Sequence, residues 1–323
     1  MFTFAVITFN HEKYILEHLE SIKYQIMMFS QHNAFKLLVS DDCSTDRTIP
    51  LVKKWAETNS NLFCEVTISV SSDNQGIVKN YLKAIKTIGK DNFKLLAGDD
   101  LYYKNDVTTV IEDHDMVLTP VIRFNTEIIS DIDARTMLLM KRFDWHSMEK
   151  IQRFKNILHA PGVFLKGEIA QDKDLIAFIS QFKWIEDLPK WYFLFNYKKD
   201  LKVSLKRQPF ILYRVTSGIS NNTNHKRHFE FKEESIIICN KIGIKTFKYP
   251  KYINPYRYYG KFTKLKLKYF DAKVDEEVRS CTDDFKREMN DSPAYLNLIR
   301  QRANEFKRTI GDEFTNNGNI NQS

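Results

Sequence analysis

Strand-like and helix-like segments alternate through the first hundred residues, and this alternation limits the folds that the chain can adopt. Short apolar runs rich in β-branched and aromatic residues occur at Phe2–Thr8, Phe35–Ser40, Cys64–Val70 and Phe93–Ala97. Between these runs, apolar residues recur at helical spacing around Ile15–Ile22, Ile49–Ala56 and Ile77–Ile88. Such an alternation predicts a parallel β-sheet with helices on both faces, which is an α/β fold.

The remaining two thirds of the chain predict a mixed region followed by a helical one. Strand-like segments occur at Met116–Pro120, Ile122–Asn125, Gly162–Leu165 and Phe210–Arg214, and helical ones around Met148–Leu158 and Pro189–Phe195. Beyond Asn221 the pattern is helical at Phe231–Ile242 and Asp283–Ile310, and a polar tail from about residue 315 is expected to be disordered. We therefore expect one domain over residues 1–220, with halves at 1–115 and 116–220, and a helical, basic region over 221–323.

The positive charge of the chain is concentrated in one segment. The 323 residues include 49 Lys and Arg and 41 Asp and Glu, which gives a formal net charge of +8. Nine basic residues and no acidic ones lie between Lys241 and Phe270, so the rest of the chain holds 40 basic against 41 acidic residues. Aromatic residues alternate with the basic ones there, a composition that suits an anionic membrane surface, a nucleic acid or a solvated, partly packed face.

Three further features predict the cellular setting. No apolar run approaches the ~20 residues that span a bilayer. The N-terminus lacks the basic region and small-residue cleavage site of a signal peptide. No two of the four cysteines lie at CxxC spacing, which predicts free thiols and no zinc site. We expect a cytoplasmic protein.

Glycine-rich phosphate-binding motifs are absent from the sequence. Neither GxGxxG nor a Gly-Lys-Ser/Thr triplet occurs. In those motifs, glycines let backbone amides approach phosphate groups. If the predicted sheet binds a nucleotide diphosphate, a divalent cation held by carboxylates is the expected substitute.

The first acidic cluster, residues 41–46, directly follows a predicted buried strand. Ligands of α/β proteins bind at the carboxyl ends of such strands. Helix capping by Ser44 or Thr45, with Asp46 near the helix dipole, explains part of the cluster. Capping does not explain the adjacent Asp41 and Asp42, because paired carboxylates repel each other and are costly to desolvate. The cluster is therefore expected to cap a helix and to bind a ligand.

Two more acidic pairs occur further along the chain. Asp99 and Asp100 follow an apolar strand, where they form either an acidic loop or a site for Mg²⁺ or Mn²⁺ completed by substrate phosphates. Their position favours the metal site. Glu186 and Asp187 precede Pro189, where they form either a helix cap or a general base in aromatic surroundings. Spacing alone narrowly favours the cap.

Together and in this order, the clusters resemble motifs of the inverting nucleotide-sugar glycosyltransferases of family 2, which have the GT-A fold. The resemblance covers about residues 2–220. The matching segments are Val6–Ile15 for the opening strand and turn, Leu38–Asp46 for "VVDDGSTD", Asn74–Gly76 with Asn80 for "N-x-G…N", Leu96–Asp100 for the DXD motif, Glu186-Asp187 for the "ED" motif, and Tyr213-Arg214 with Ser217 and Ser220 for a "YR…S…S" segment of capsule and O-antigen enzymes.

The resemblance implies a Rossmann-like GT-A fold with a mostly parallel central sheet and a mainly helical C-terminal extension. It implies that Asp187 is the catalytic base and that Asp100 and Asp99 bind Mn²⁺ or Mg²⁺ against the donor diphosphate. In this resemblance Asp41 would contact the base, usually uracil. The implied donor-binding residues are Thr8, Asn10, Glu12, Asp41, Asp42, Lys79 and Asp99. Two departures are Cys43 in place of the usual Gly and Ala97 where many members have a further Asp, and the second leaves the principal metal ligand open.

The activity implied is transfer of a sugar, with inversion, from a UDP-sugar to a hydroxyl of a glycan or lipid-linked acceptor in surface polysaccharide synthesis. With this activity, the 241–270 segment favours peripheral docking on the inner face of a membrane, and no nucleic acid partner is expected. Two alternatives remain. A sugar nucleotidyltransferase needs a glycine-rich loop that Thr8–Tyr14 lacks, and a degenerate, non-catalytic binding protein would keep the fold alone.

Overall fold

The computed structural model describes most of the chain in seven stretches: residues 1–29, 34–125, 129–133, 158–198, 200–215, 228–241 and 282–316. Residues 148–157 of the helix expected around Met148–Leu158 lie outside these stretches. The same holds for Ser217 and Ser220, for the basic segment beyond Lys241, and for residues 317–323 of the expected tail.

A four-stranded parallel sheet organises the N-terminal part of the chain. Its strands are β1 (Phe2–Thr8), β2 (Phe35–Asp41), β3 (Glu65–Val70) and β4 (Asn92–Ala97), in the order β3-β2-β1-β4. The helices between them are α1 (Ile15–Phe29), α2 (Thr48–Thr58) and α3 (Ile77–Ile88). The predicted alternation is therefore confirmed. Because all four strands run the same way, the loops at their carboxyl ends share one edge of the sheet.

Helices cover both faces of this sheet, as the side-chain period of two along a strand requires. Ala5 and Leu38 pack in one core cluster with α3, whereas Phe4, Val6 and Val39 pack in another with α1 and α2. All five are at most 3% exposed. Burial on both faces explains why the strands are nearly continuous apolar runs.

Two smaller sheets follow, and they bring distant segments next to the end of β4. The strands are β5 (Leu101–Tyr102), β6 (Met116–Leu118), β7 (Val121–Phe124), β8 (Ile129–Asp133), β9 (Val163–Leu165), β10 (Val203–Leu205) and β11 (Ile211–Arg214). They form the sheets β10-β6-β9 and β5-β11-β7-β8. The helices are α4 (Gly167–Ala170), α5 (Lys173–Ile179) and α6 (Asp187–Tyr197), and 3₁₀ turns occupy Ser60–Leu62 and Ala160–Gly162. Pairing of β11 with β5 sets Arg214 beside the residues that follow β4.

Beyond residue 227, the two stretches that the structure describes are helical, as predicted: α7 (His228–Lys241) and α8 (Thr282–Asn316). Helix α8 packs against the N-terminal part: Ile299 and Ala303 are buried, and the hydroxyl of Tyr295 donates to the carbonyl oxygen of Tyr102 at 2.7 Å. The domain boundary at residue 220 stays a prediction. Within the part of the chain that the structure describes, none of the helices is long and apolar enough to cross a membrane.

Candidate active site

A cavity of about 1260 Å³ lies at the carboxyl ends of β1 and β4. Its volume exceeds the roughly 300–1,000 Å³ of a typical site for one small molecule. Seven of the residues expected at a site line it: Thr8, Asn10, Glu12, Asp42, Asp99, Asp100 and Asp187. Asp41 and Lys79 do not appear among the described lining residues.

Hydrogen bonds join two loops that line the cavity: the first loop, which follows β1, and the second loop, which follows β2. The backbone N–H of Asn10 donates to Ser44 Oγ at 2.8 Å, and the N–H of Thr45 donates to Asn10 Oδ1 at 2.9 Å. Asn10 has φ 56°, a left-handed conformation that asparagine tolerates. The guanidinium of Arg47 donates two bonds to Glu12 Oε1, at 2.8 and 2.6 Å, and these lower the pKa of Glu12. Asn10 and Glu12 thus shape the mouth through contacts with the second loop.

Asp41 is fully buried and accepts hydrogen bonds from other residues of the protein. Its carboxylate accepts from Thr8 Oγ1 at 2.7 Å and from the N–H and hydroxyl of Ser44 at 2.7 and 2.5 Å. Its carbonyl oxygen accepts from Lys83 Nζ at 3.1 Å. Lys79, four residues earlier on α3, is exposed. The roles of Asp41 and Lys79 in donor binding stay predictions, and in the structure Asp41 ties β1 to the loop after β2.

Asp42 lines the cavity and holds the start of α3. Its carboxylate accepts from the N–H groups of Gln75 and Gly76 at 2.8 and 2.9 Å. Gly76 has φ 97°, and a Cβ there would lie 2.8 Å from the carbonyl oxygen of Lys183. Only glycine accommodates both constraints, which explains the glycine of the "N-x-G" segment.

The side chain that caps the start of α2 differs from the one expected from the sequence. Asp46, rather than Ser44 or Thr45, accepts from the N–H of Thr48 at the start of α2, at 2.9 Å. The capping expectation was wrong because Ser44 is bonded to the first loop and to Asp41 instead. Cys43 has φ 66°, so the position where the family usually has glycine is left-handed in this chain.

The acidic loop after β4 is bonded to Arg214. The backbone N–H of Arg214 donates to Asp100 Oδ1 at 2.9 Å, and its Nε donates to the carbonyl oxygen of Asp99 at 2.9 Å. Burial raises the pKa of Asp100 well above its usual value, Asp99 adds to this rise, and the contacts with Arg214 oppose it. The loop therefore carries two buried carboxyl groups, and burial raises the pKa of one of them, Asp100.

The side chain of Arg214 is itself enclosed, with 1% of its surface exposed. Its guanidinium lies 4.4 Å from the ring centres of both Tyr14 and Phe124, and Nη2 is 2.8 Å from Glu17 Oε2. Sequence analysis placed Arg214 in the "YR" segment but missed this positioning role. No local signal could have revealed it, because its partners lie 115 and 197 residues away.

Asp99 and Asp100 suit a divalent cation whose coordination shell is completed by oxygen atoms of the substrate. Among the described residues, no three His, Cys, Asp or Glu side chains form a cation-binding cluster. Mg²⁺, however, commonly takes only one or two carboxylates and completes its shell with phosphate oxygens and waters. Both side chains supply the hard oxygen ligands that such a cation prefers. Burial is the main cause of the raised pKa of Asp100 and Asp99 adds to it, so a cation beside them would favour the ionised form of Asp100.

Glu186 and Asp187 lie at the start of α6. Asp187 Oδ1 accepts from the N–H of Leu188 at 2.6 Å. Burial raises the pKa of Glu186, although Lys190 acts to lower it. Lys190 is 5% exposed, with Nζ 4.4 Å from the ring centre of Tyr81. Burial acts to lower its pKa, but Tyr81 and the two carboxylates outweigh it, so the pKa of Lys190 is raised. Both acidic groups line the cavity.

A second buried lysine was not predicted from the sequence. Lys94, on β4, is 2% exposed and donates from Nζ to the carbonyl oxygen of Val163 at 2.7 Å. Burial lowers its pKa well below the usual value, and the charge of Lys190 adds to this effect. The cavity lining thus includes two buried lysines, Lys94 and Lys190, together with its carboxyl groups.

Comparison with known proteins connects this geometry to a family and a fold. A family model described as glycosyl transferase family 2 matches residues 3–165. No curated protein sequence matches the chain. The crystal structure of S. aureus TarS residues 1–349 with UDP-GlcNAc is similar, with a TM-score of 0.53 and 17% identity over 98% of this chain and 92% of that chain. The same protein with UDP gives a TM-score of 0.51 and 18% identity, over 99% and 93%. The expected GT-A fold of the α/β class is confirmed.

Proposed function

Because the chain belongs to glycosyl transferase family 2 and is a glycosyltransferase, we propose that it transfers a sugar, with inversion, from a nucleotide-diphosphate donor to a hydroxyl of its acceptor. The observation that carries this proposal is the shared cavity, which is lined by Asp99, Asp100 and Asp187. A donor bound in it would meet a charge-stabilising group at its diphosphate and a base beside its sugar.

The donor in this proposal is a UDP-sugar. Support comes from the likeness of the fold to TarS, whose crystal structures contain UDP-GlcNAc and UDP. The joined loops that carry Asn10 and Glu12, together with Asp42, would surround the nucleoside at the mouth of the cavity. Thr8 and Asp41 would hold the strand ends beneath it through their mutual hydrogen bond.

Mn²⁺ or Mg²⁺ would be held by Asp99 and Asp100. When bound, such an ion neutralises the charge that develops on the departing nucleoside diphosphate. The protein's own contribution is to fix the two carboxyl groups, because Arg214 bonds to the backbone of one and the side chain of the other.

Asp187 would act as the general base. Its carboxylate would accept the proton of the acceptor hydroxyl as the oxygen attacks the anomeric carbon from the side opposite the leaving diphosphate, which inverts that carbon. We assign the base to Asp187 because it stands at the aspartate of the family's "ED" motif and its side chain lines the cavity. Lys190 would keep the pair oriented through its charge.

The acceptor in this proposal is a glycan or a lipid-linked oligosaccharide of a surface polysaccharide. Trp184 and Trp191 line the cavity near Asp187, and aromatic faces of this kind stack on sugar rings. The basic segment at residues 241–270 would dock the enzyme on an anionic membrane that carries such an acceptor.

Metal-dependent donor binding tests this proposal. Asp100→Ala should weaken UDP binding in the presence of Mn²⁺ by at least about tenfold, because a carboxylate ligand of the cation that neutralises the diphosphate is lost. Isothermal titration with UDP, with and without EDTA, measures the effect. Asp113→Ala, at an exposed acid, is the matched control and should bind as the wild type does. Equal Mn²⁺-dependent affinity in the Asp100 variant and the wild type would contradict the metal assignment.

A further inference from the structure

Helix α7 forms part of the cavity although it lies beyond the residues matched by the family model. Phe231 and Ser235, one turn apart on α7, line the cavity near Trp184. Ile238, on the same helix, is fully buried in the core cluster that contains Trp184 and Ile185. The helix therefore packs directly on the segment that leads to Glu186 and Asp187.

The carboxylate of Glu234, on α7, accepts hydrogen bonds from the backbone N–H groups of residues 183–185 in that segment. Glu234 Oε1 accepts from the N–H of Lys183 at 2.5 Å, and Oε2 accepts from those of Trp184 and Ile185 at 2.6 and 2.9 Å. Successive N–H groups that converge in this way form an anion-binding concavity, and bonds from them to an ionised carboxylate are stronger than those to a neutral acceptor.

The opposite side of the same segment is held by α3. The N–H of Val78 donates to the carbonyl oxygen of Lys183 at 3.1 Å, and Gly76 leaves room for the close approach of that carbonyl. The segment 183–185 is thus bonded through its N–H groups to α7 and through a carbonyl to α3. Its next two residues are Glu186 and Asp187.

We propose that Glu234 is a positioning residue, which holds the 183–185 segment so that Asp187 faces the cavity. This proposal rests on the proposed function, in which Asp187 takes the acceptor proton. Proton transfer in an enzyme depends on placement, and a shift of about 1 Å in a reacting group can cost about 100-fold in rate. Helix α7 therefore belongs to the acceptor side of the site, and the charge of Glu234 contributes to turnover without touching a substrate.

The test compares Glu234→Gln with Glu233→Gln, which makes the same change at an exposed neighbour on α7. A glutamine at 234 keeps the size of the side chain, but its amide nitrogen cannot accept from an N–H, so at least one of the three bonds is lost. We expect faster hydrogen exchange at the amides of 183–185 and a kcat about 10- to 100-fold lower. The donor KM and the affinity for UDP should be unchanged. Glu233→Gln should match the wild type throughout.

Three outcomes would overturn the proposal. The first is wild-type hydrogen exchange at 183–185 in the Glu234→Gln variant, and the second is an unchanged kcat. The third is a fall in donor affinity as large as the fall in kcat, which would indicate general misfolding. Glu234→Asp provides a second variant in case the first fails to fold, because a shorter carboxylate keeps the charge and should recover part of the turnover. If the wild type transfers no sugar, the proposed function fails, whereas the exchange measurement still tests the bonding role of Glu234.

Discussion

Replacing Arg214 by methionine tests how the acidic loop after β4 is held. Methionine keeps an apolar stem between the rings of Tyr14 and Phe124, but it removes the ion pair with Glu17 and the bond to the carbonyl oxygen of Asp99. The substitution thus leaves a carboxylate and a carbonyl oxygen without their cationic partner in a poorly solvated region.

The expected loss of stability follows from the burial of the two partners. Removing one member of a buried ion pair costs about 3–5 kcal/mol. We expect the low end, about 3 kcal/mol, because the side chain of Glu17 keeps 18% of its surface exposed and has Arg300 Nε 3.6 Å away as a second cation. For a chain of this size, that loss lowers Tm by roughly 4 °C.

Urea unfolding followed by tryptophan fluorescence measures the change in the free energy of unfolding. Arg300→Met is a matched control, since Arg300 also approaches Glu17 but is 22% exposed, and its loss should cost less than about 1 kcal/mol. In a double-mutant cycle, Glu17→Gln and Arg214→Met should show a coupling of about 2 kcal/mol. Equal stability of the Arg214→Met and Arg300→Met variants would refute the reasoning.

Two further predictions concern the left-handed loop position and the basic segment. Cys43→Gly should leave the free energy of unfolding unchanged or raise it by up to about 1 kcal/mol. Cys43→Val should lower it by about 1–2 kcal/mol, since a β-branched residue fits poorly at φ 66°. Urea unfolding measures both changes, and a glycine variant that is clearly less stable than the wild type would contradict this. The full chain should co-sediment at low salt with vesicles that contain phosphatidylserine, but not with neutral vesicles, because each basic residue near an anionic surface contributes ~1 kcal/mol. An absence of binding to the anionic vesicles would exclude membrane docking.

The first sheet could be predicted closely because its signal is local. The Ile77–Ile88 helix and the Phe2–Thr8 strand were assigned with the bounds that the structure shows. Both are fixed by apolar periodicity within a dozen residues. The short strands β5 and β10, of two and three residues, carry no such pattern, and pairing with distant partners decides their conformation.

The candidate site was only partly predictable, because its contacts join residues far apart in the chain. The sequence placed Asp99, Asp100 and Asp187 at element ends, and the structure brings all three to one cavity. It gave no indication that Asp41 is bonded to Thr8, 33 residues away, or that Arg214 clamps the loop after β4. It also placed the cap of α2 at Ser44 or Thr45, because the competing bond from Asn10 arises only once the two loops meet.

The most direct test of the central claim is UDP release from UDP-sugars with Mn²⁺, with water as the acceptor, in the wild type and in Asp187→Asn. The account predicts turnover in the wild type and a fall of about 10²- to 10⁴-fold in the variant, with unchanged affinity for UDP, because only the proton acceptor is lost. Asp174→Asn, at an exposed acid that also lies in the first turn of a helix, should retain full activity. Turnover by Asp187→Asn at the wild-type rate would contradict the account.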